Sequence, residues 1–170
     1  MRPFVKTMTI DDFYTVNQAN ELTNVIYNLQ YVDKEFGQEI ENFNMVPDNA
    51  NEIFSNVMRK EIIVEHERSG IFRIPTAAMI HFESFDTQDD WLFAVALQES
   101  TINIFEHQSG AKSALDGYQF NYRNLFEWNL TVSYLLQPGQ GIFIRPWMFH
   151  AFDTGLIQIF RLREQNGDRI

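Results

Sequence analysis

From Glu61 onward the chain stops reading as helix and becomes a series of short β-type runs, each closed by turn chemistry. Residues 62–64, 71–74, 78–82, 91–97, 101–105, 131–136, 142–144 and 156–162 are apolar or alternating. Ser69-Gly70, Ser109-Gly110, Asp116-Gly117, Pro138-Gly139 and Gly155 separate them. Many short strands with this punctuation predict a sandwich or a barrel, because extended segments must turn back to pair.

The first sixty residues follow a different rule. Thr9-Ile-Asp-Asp12 has the form of a capping box, with a carboxylate three places after a hydroxyl. Leu22, Val25, Ile26 and Leu29 recur at helical spacing and predict one apolar face. A second helix is expected from Asp48 or Asn49, presenting Ile53, Phe54, Val57 and Met58. Residues 42–47 between them read as a loop. No linker or repeat divides the chain, so residues 1–170 are expected to form a single domain: a helical buttress over 1–60 packed outside a β barrel over 61–165.

Composition removes several functions. With no cysteine there is no disulfide framework, zinc–thiolate site, iron–sulfur cluster or cysteine nucleophile. A formal net charge of −10, with cations scattered over Lys6, Lys34, Arg59, Lys60, Arg73 and Arg123, argues against nucleic acid as a partner. The opening Met-Arg-Pro-Phe-Val-Lys lacks the apolar core of a signal peptide, and no stretch reaches membrane-spanning length. A soluble cytoplasmic protein without membrane partners is the expectation, with a homodimer left open. Sixteen phenylalanines suit a barrel filled with rings.

Chemistry-bearing residues gather in two places. Pro138-Gly-Gln-Gly-Ile-Phe-Ile-Arg-Pro-Trp-Met-Phe-His150 is a glycine turn, a short apolar strand and a histidine behind two aromatics. Upstream, His81-Phe-Glu83 is an H-x-E triplet. In extended chain, residues two apart project to one side, so His81 and Glu83 face together and Phe82 turns away. A non-haem Fe(II) centre needs two imidazoles and a carboxylate on one face. His150, at the end of a distant strand that barrel closure would bring near, supplies the third ligand. Each histidine alone reads more readily as a hydrogen-bonded residue of a β protein than as a ligand. His66, in the charged run 65–70, is expected to be solvated, and His107 to belong to a turn.

From His81 to Arg163 the chain resembles the core of the cupin-type, JmjC-like 2-oxoglutarate/Fe(II) oxygenases. In that family an H-x-D/E pair precedes a strand pair, a glycine turn, an apolar strand and an aromatic-rich segment ending in histidine. The resemblance implies a double-stranded β-helix (cupin-like, jelly-roll) fold of mainly β, α+β class. It also implies Fe(II) and 2-oxoglutarate as cofactors and His81, Glu83 and His150 as catalytic metal ligands. The family's co-substrate arginine lies ten or eleven positions beyond the second histidine, and Arg161 is eleven beyond His150. Arg161 shares strand parity with Ile157 and Ile159, which turns it into the barrel; the opposite register would put it in solvent. Gln98 and Ser100 stand where the family has a glycine and a co-substrate lysine, and Arg145 stands where it has a proline. The expected function is hydroxylation of a small-molecule or protein substrate. A metal-dependent cupin without 2-oxoglutarate and a non-enzymatic barrel holding a ligand or partner are the alternatives. Loops 84–90 and 110–127 are the expected substrate-selecting segments.

Overall fold

Two antiparallel sheets face each other across an apolar layer in the computed structural model, which describes residues 6–35, 37–41, 43, 45–74 and 79–165. The strands are β1 (Thr7–Ile10), β2 (Tyr31–Lys34), β3 (Gly37–Ile40), β4 (Ile62–Val64), β5 (Gly70–Ile74), β6 (Trp91–Ala96), β7 (Ser100–His107), β8 (Trp128–Leu136), β9 (Gly141–Ile144), β10 (His150–Phe152) and β11 (Gly155–Glu164). The larger sheet runs β1-β9-β6-β11-β5-β3-β2, with β4 also pairing with β11; the smaller runs β10-β7-β8. Apart from the β2-β3 hairpin at its edge, most neighbouring strands in the larger sheet come from distant parts of the sequence, the signature of a double-stranded β-helix. β6 and β9 are buried at every position, as central strands covered on both faces must be.

Strand alternation sorts the core into two sides. Ala94, Ile142, Ile144, Ile157 and Ile159 of the larger sheet meet Ile102, Ile104 and Phe152 of the smaller one inside the barrel. The opposite parity, Phe93, Phe143, Phe160 and Leu162, forms an outer layer with the second described helix, while the first packs on Ile71, Leu97 and Leu156. Two helices are described, α1 (Val16–Ile26) and α2 (Ala50–Met58). Phe54 of α2 sits against Phe93 and Phe160 with ring centroids 5.3 and 5.1 Å apart, so the expectation of helices packed outside the barrel holds.

Several local expectations are corrected. Thr9 does not cap a helix: Thr7–Ile10 pairs with β9, which satisfies its backbone as a strand. The capping box is Thr15 with Gln18, whose carboxamide closes the reciprocal bond. The buried face of α1 is Ala19, Leu22 and Ile26; Val25 is 60 % exposed and Leu29 lies beyond the helix. The first sixty residues also contribute β1, β2 and β3 to the larger sheet. Of the loop at 42–47, Asn42 and Asn44 lie outside the described residues, as do the opening residues 1–5 and Ala78. Within the run expected at 78–82, the described residues 79–82 form no regular strand; His81 makes a single bridge to His150.

Gly139 explains why the turn before β9 needs a glycine. Its φ of +92° lies in the left-handed region. A Cβ there would come within 2.1 Å of the Tyr14 carbonyl oxygen. The same carbonyl-bearing turn accepts the amides of Phe13 and Tyr14 on the Gly139 oxygen, tying the entry of α1 to the barrel.

Candidate metal centre

His150 opens β10; it does not close the preceding strand as the sequence suggested. β9 belongs to the larger sheet and β10 to the smaller, so residues 145–149 cross between them. Across from His150, His81 exchanges both backbone hydrogen bonds with it, each 2.9 Å. This is a hydrogen-bonded antiparallel pair, which puts the two side chains on the same face. Their ring centroids are 4.4 Å apart. Glu83 lies two residues beyond His81 on the same side, its amide bonded to the Pro146 carbonyl at 2.7 Å. One ligand atom from each of His81, Glu83 and His150 lies within 4.8 Å of the others. Phe82 turns away, toward Tyr118, Tyr122 and Phe149.

Backbone carbonyls set the imidazole orientations. His81 Nδ1 donates to the Met79 carbonyl at 2.9 Å, and His150 Nδ1 to the Met148 carbonyl at 2.7 Å. A carbonyl only accepts, so each Nδ1 carries the proton and each Nε2 is turned toward the shared centre. His150 is 0 % exposed, and its Nε2 has no hydrogen-bond partner. Burial, with a smaller contribution from His81, pushes the His150 pKa down to about 3 and keeps the ring neutral. Burial works to raise the Glu83 pKa, but the neighbouring His81 and the Arg161 guanidinium together hold it down at about 2. A neutral imidazole and an ionised carboxylate are the forms that bind a metal.

Arg161 points inward with Ile157 and Ile159 and is 8 % exposed. Its Nη2 donates to Glu83 Oε2 at 2.7 Å and its Nη1 to the Ser84 carbonyl at 3.3 Å. A cavity of about 330 Å³ opens beside it, lined by Lys34, Glu39, Arg68, Phe72, Glu83 and Arg161 among others.

Sequence reasoning missed the supports of the site. The charged run 65–70 braces the site: Arg68 donates to Glu65 Oε2 at 2.8 Å and to Ser84 Oγ at 2.6 Å, and Ser69 is buried. His66 is exposed as expected. His107 ends β7, buried, bonding Ser109 and Glu127 away from the triad. Residues 84–90 border the site through Ser84. The segment 110–127 packs behind the ligand-bearing chain: Tyr118 and Tyr122 meet Phe82, Ser113 bridges Met148, and Phe120 and Tyr122 pack on Trp128 and Phe149.

No family model matches the chain, and no curated protein matches it. Solved structures do. HygX from Streptomyces hygroscopicus, crystallised with nickel, 2-oxoglutarate and hygromycin B, is 7 % identical, with 95 % of this chain and 84 % of that one covered at a TM-score of 0.60. The non-heme alpha-ketoglutarate-dependent epimerase SnoN from nogalamycin biosynthesis is 9 % identical, covering 94 % and 76 % at 0.64. A 2OG-Fe(II) oxygenase family oxidoreductase from Burkholderia pseudomallei is 12 % identical, covering 96 % and 87 % at 0.53. At such identities the likeness establishes the double-stranded β-helix fold. No described helix is long and apolar enough to cross a membrane.

Proposed function

We propose that this chain is an Fe(II)/2-oxoglutarate-dependent oxygenase that hydroxylates a small-molecule or protein substrate, with His81, Glu83 and His150 holding the metal. The observation that carries the reading is the His150 Nε2 atom, fully buried, without a hydrogen-bond partner and aimed at Glu83 and His81. A buried polar atom left unpaired costs free energy unless something occupies the point it faces. Two imidazoles and one carboxylate on one face fit Fe(II) and leave positions open. Iron in such a donor set couples oxidative decarboxylation of a 2-oxo acid by dioxygen to hydroxylation of a substrate C–H bond, releasing carbon dioxide and the shortened acid.

The protein's own groups do the holding. The Met79 and Met148 carbonyls fix the imidazoles, and the barrel layer of Ile102, Ile104 and Phe152 excludes water behind them. Arg161 lines the cavity as the cation for the co-substrate's distal carboxylate; a guanidinium has five N–H donors, more than Glu83 and Ser84 use. That HygX was crystallised with nickel and 2-oxoglutarate, and separately with iron, supports Fe(II) and 2-oxoglutarate as the cofactors here.

A second reading is a metal-dependent barrel that does not use 2-oxoglutarate. It is favoured by the Arg161–Glu83 ion pair, which engages the guanidinium close to the ligands. Anaerobic titration separates the two. Fe(II)-loaded protein should bind 2-oxoglutarate with a visible charge-transfer band, and His150→Ala should lose both metal and band. Metal binding without the band favours the second reading; equal metal in parent and His150→Ala overturns the triad.

A further inference from the structure

Glu83 has two oxygens with different neighbours. Oε1 faces His81 Nε2 at 3.3 Å, on the side of the triad, while Oε2 accepts from Arg161 Nη2 at 2.7 Å. We propose that Arg161 is a positioning residue that divides this carboxylate, reserving Oε1 for the metal and preventing Glu83 from chelating it through both oxygens. The proposal rests on the reading of His81, Glu83 and His150 as metal ligands and holds whether or not 2-oxoglutarate is used.

The restraint answers a local need. The terminal torsion of a glutamate is broad and roughly two-fold, so the backbone does not fix the plane of its carboxylate. Glu83 also lies in irregular chain: His81 forms the last bridge to β10, and beyond it only the Pro146 carbonyl holds the Glu83 amide. The ladder therefore does not fix the plane of the carboxylate, and a carboxylate can meet a metal with one oxygen or two. A charge-assisted bond to Oε2 removes that freedom.

The guanidinium itself is well anchored. Its second nitrogen, Nη1, donates to the Ser84 carbonyl at 3.3 Å, so it grips two consecutive residues. The Arg161 amide donates to Ser69 Oγ at 3.0 Å, and its carbonyl accepts the Glu65 amide at 2.8 Å. Ser69 Oγ in turn donates to the Glu65 carbonyl at 2.8 Å. Arg68 reaches the same Ser84 from the other side, bonding its carbonyl at 3.0 Å and Oγ at 2.6 Å. Two arginines thus staple the irregular Glu83-Ser84 segment to β11 and to the turn before β5.

In octahedral coordination the division has a countable consequence. Two imidazoles and one oxygen leave three positions for exchangeable water; a chelating carboxylate leaves two. The test is water-proton relaxation of the Mn(II)-loaded full chain, which reports metal-bound exchangeable waters, with bound Mn(II) measured alongside. The parent is expected to show three waters per bound ion. Arg161→Gln should still bind one ion but show relaxation lower by about one third, and Arg161→Lys, which restores a cationic donor, should recover part of that loss. A loaded parent with two waters overturns the proposal whether or not the variants fold. An unchanged water count in loaded Arg161→Gln overturns it too. A parent that binds no Mn(II), or binds it equally after His150→Ala, overturns the metal-site reading itself, a different result from a loaded parent with the wrong count.

Discussion

His150 is neutral in the folded chain because it is wholly enclosed, and this gives the metal-free protein an acid-sensitive term. Its pKa drops from 6.5 to about 3 on folding. Between those values the unfolded chain binds one proton more than the folded one, so stability rises with pH across the window and is lost as pH falls. Glu83, lowered from 4.5 to about 2, acts in the same direction further into acid. Denaturant unfolding of metal-free protein should therefore lose on the order of 2 kcal/mol between pH 7 and pH 5. His150→Leu should flatten that slope, and an equal slope in both proteins would show that the ring titrates normally. At this scale the grouping of side chains was legible: H-x-E placed two side chains together, and strand parity turned Arg161 inward with Ile157 and Ile159. The contacts that orient them were not, because the Met79 and Met148 carbonyls are backbone atoms that any residue would supply. Nor did the charged look of 65–70 reveal that Arg68 and Ser69 brace Ser84 and Arg161.

Among the elements, α2 offers the cleanest separation of stability from site chemistry. Phe54 is buried under Phe13, Phe93 and Phe160 on the outer face of the larger sheet, while the triad lies in the opposite layer. Phe54→Ala should cost about 3–5 kcal/mol through lost burial and the cavity left behind. The melting temperature should fall while metal affinity of the folded fraction stays at the parent value. A parallel loss of affinity would mean that the outer layer tunes the centre. This helix was readable from its 3.6-residue period and its asparagine cap position. β10 was not: three buried residues behind a tryptophan and a proline carry no alternation to detect. β2 and β3 escaped as well, since a half-exposed, charged edge hairpin resembles a polar loop in sequence. Thr9 misled because a hydroxyl three places before a carboxylate also occurs where a strand ends.

At the scale of the molecule, the strand count and turn punctuation were enough to indicate a barrel, whereas the crossing of 145–149 from one sheet to the other depended on closure. That crossing brings His150 opposite His81, sixty-nine positions earlier, through two reciprocal backbone bonds. The triad consequently does not exist in a chain whose His81–His150 bridge has opened. A metal held by both imidazoles would act as a removable cross-link over this long loop, and its free concentration would become a determinant of how often that bridge opens. At a hundred times the dissociation constant the cross-link adds about 2.7 kcal/mol to unfolding. The His81 and His150 amides, which bond each other's carbonyls, should then exchange with deuterium about a hundred-fold more slowly than in stripped protein. Slowing of the same size at both amides, absent after His150→Ala, is the expected pattern; unchanged exchange on loading would mean that the bridge opens with the metal in place.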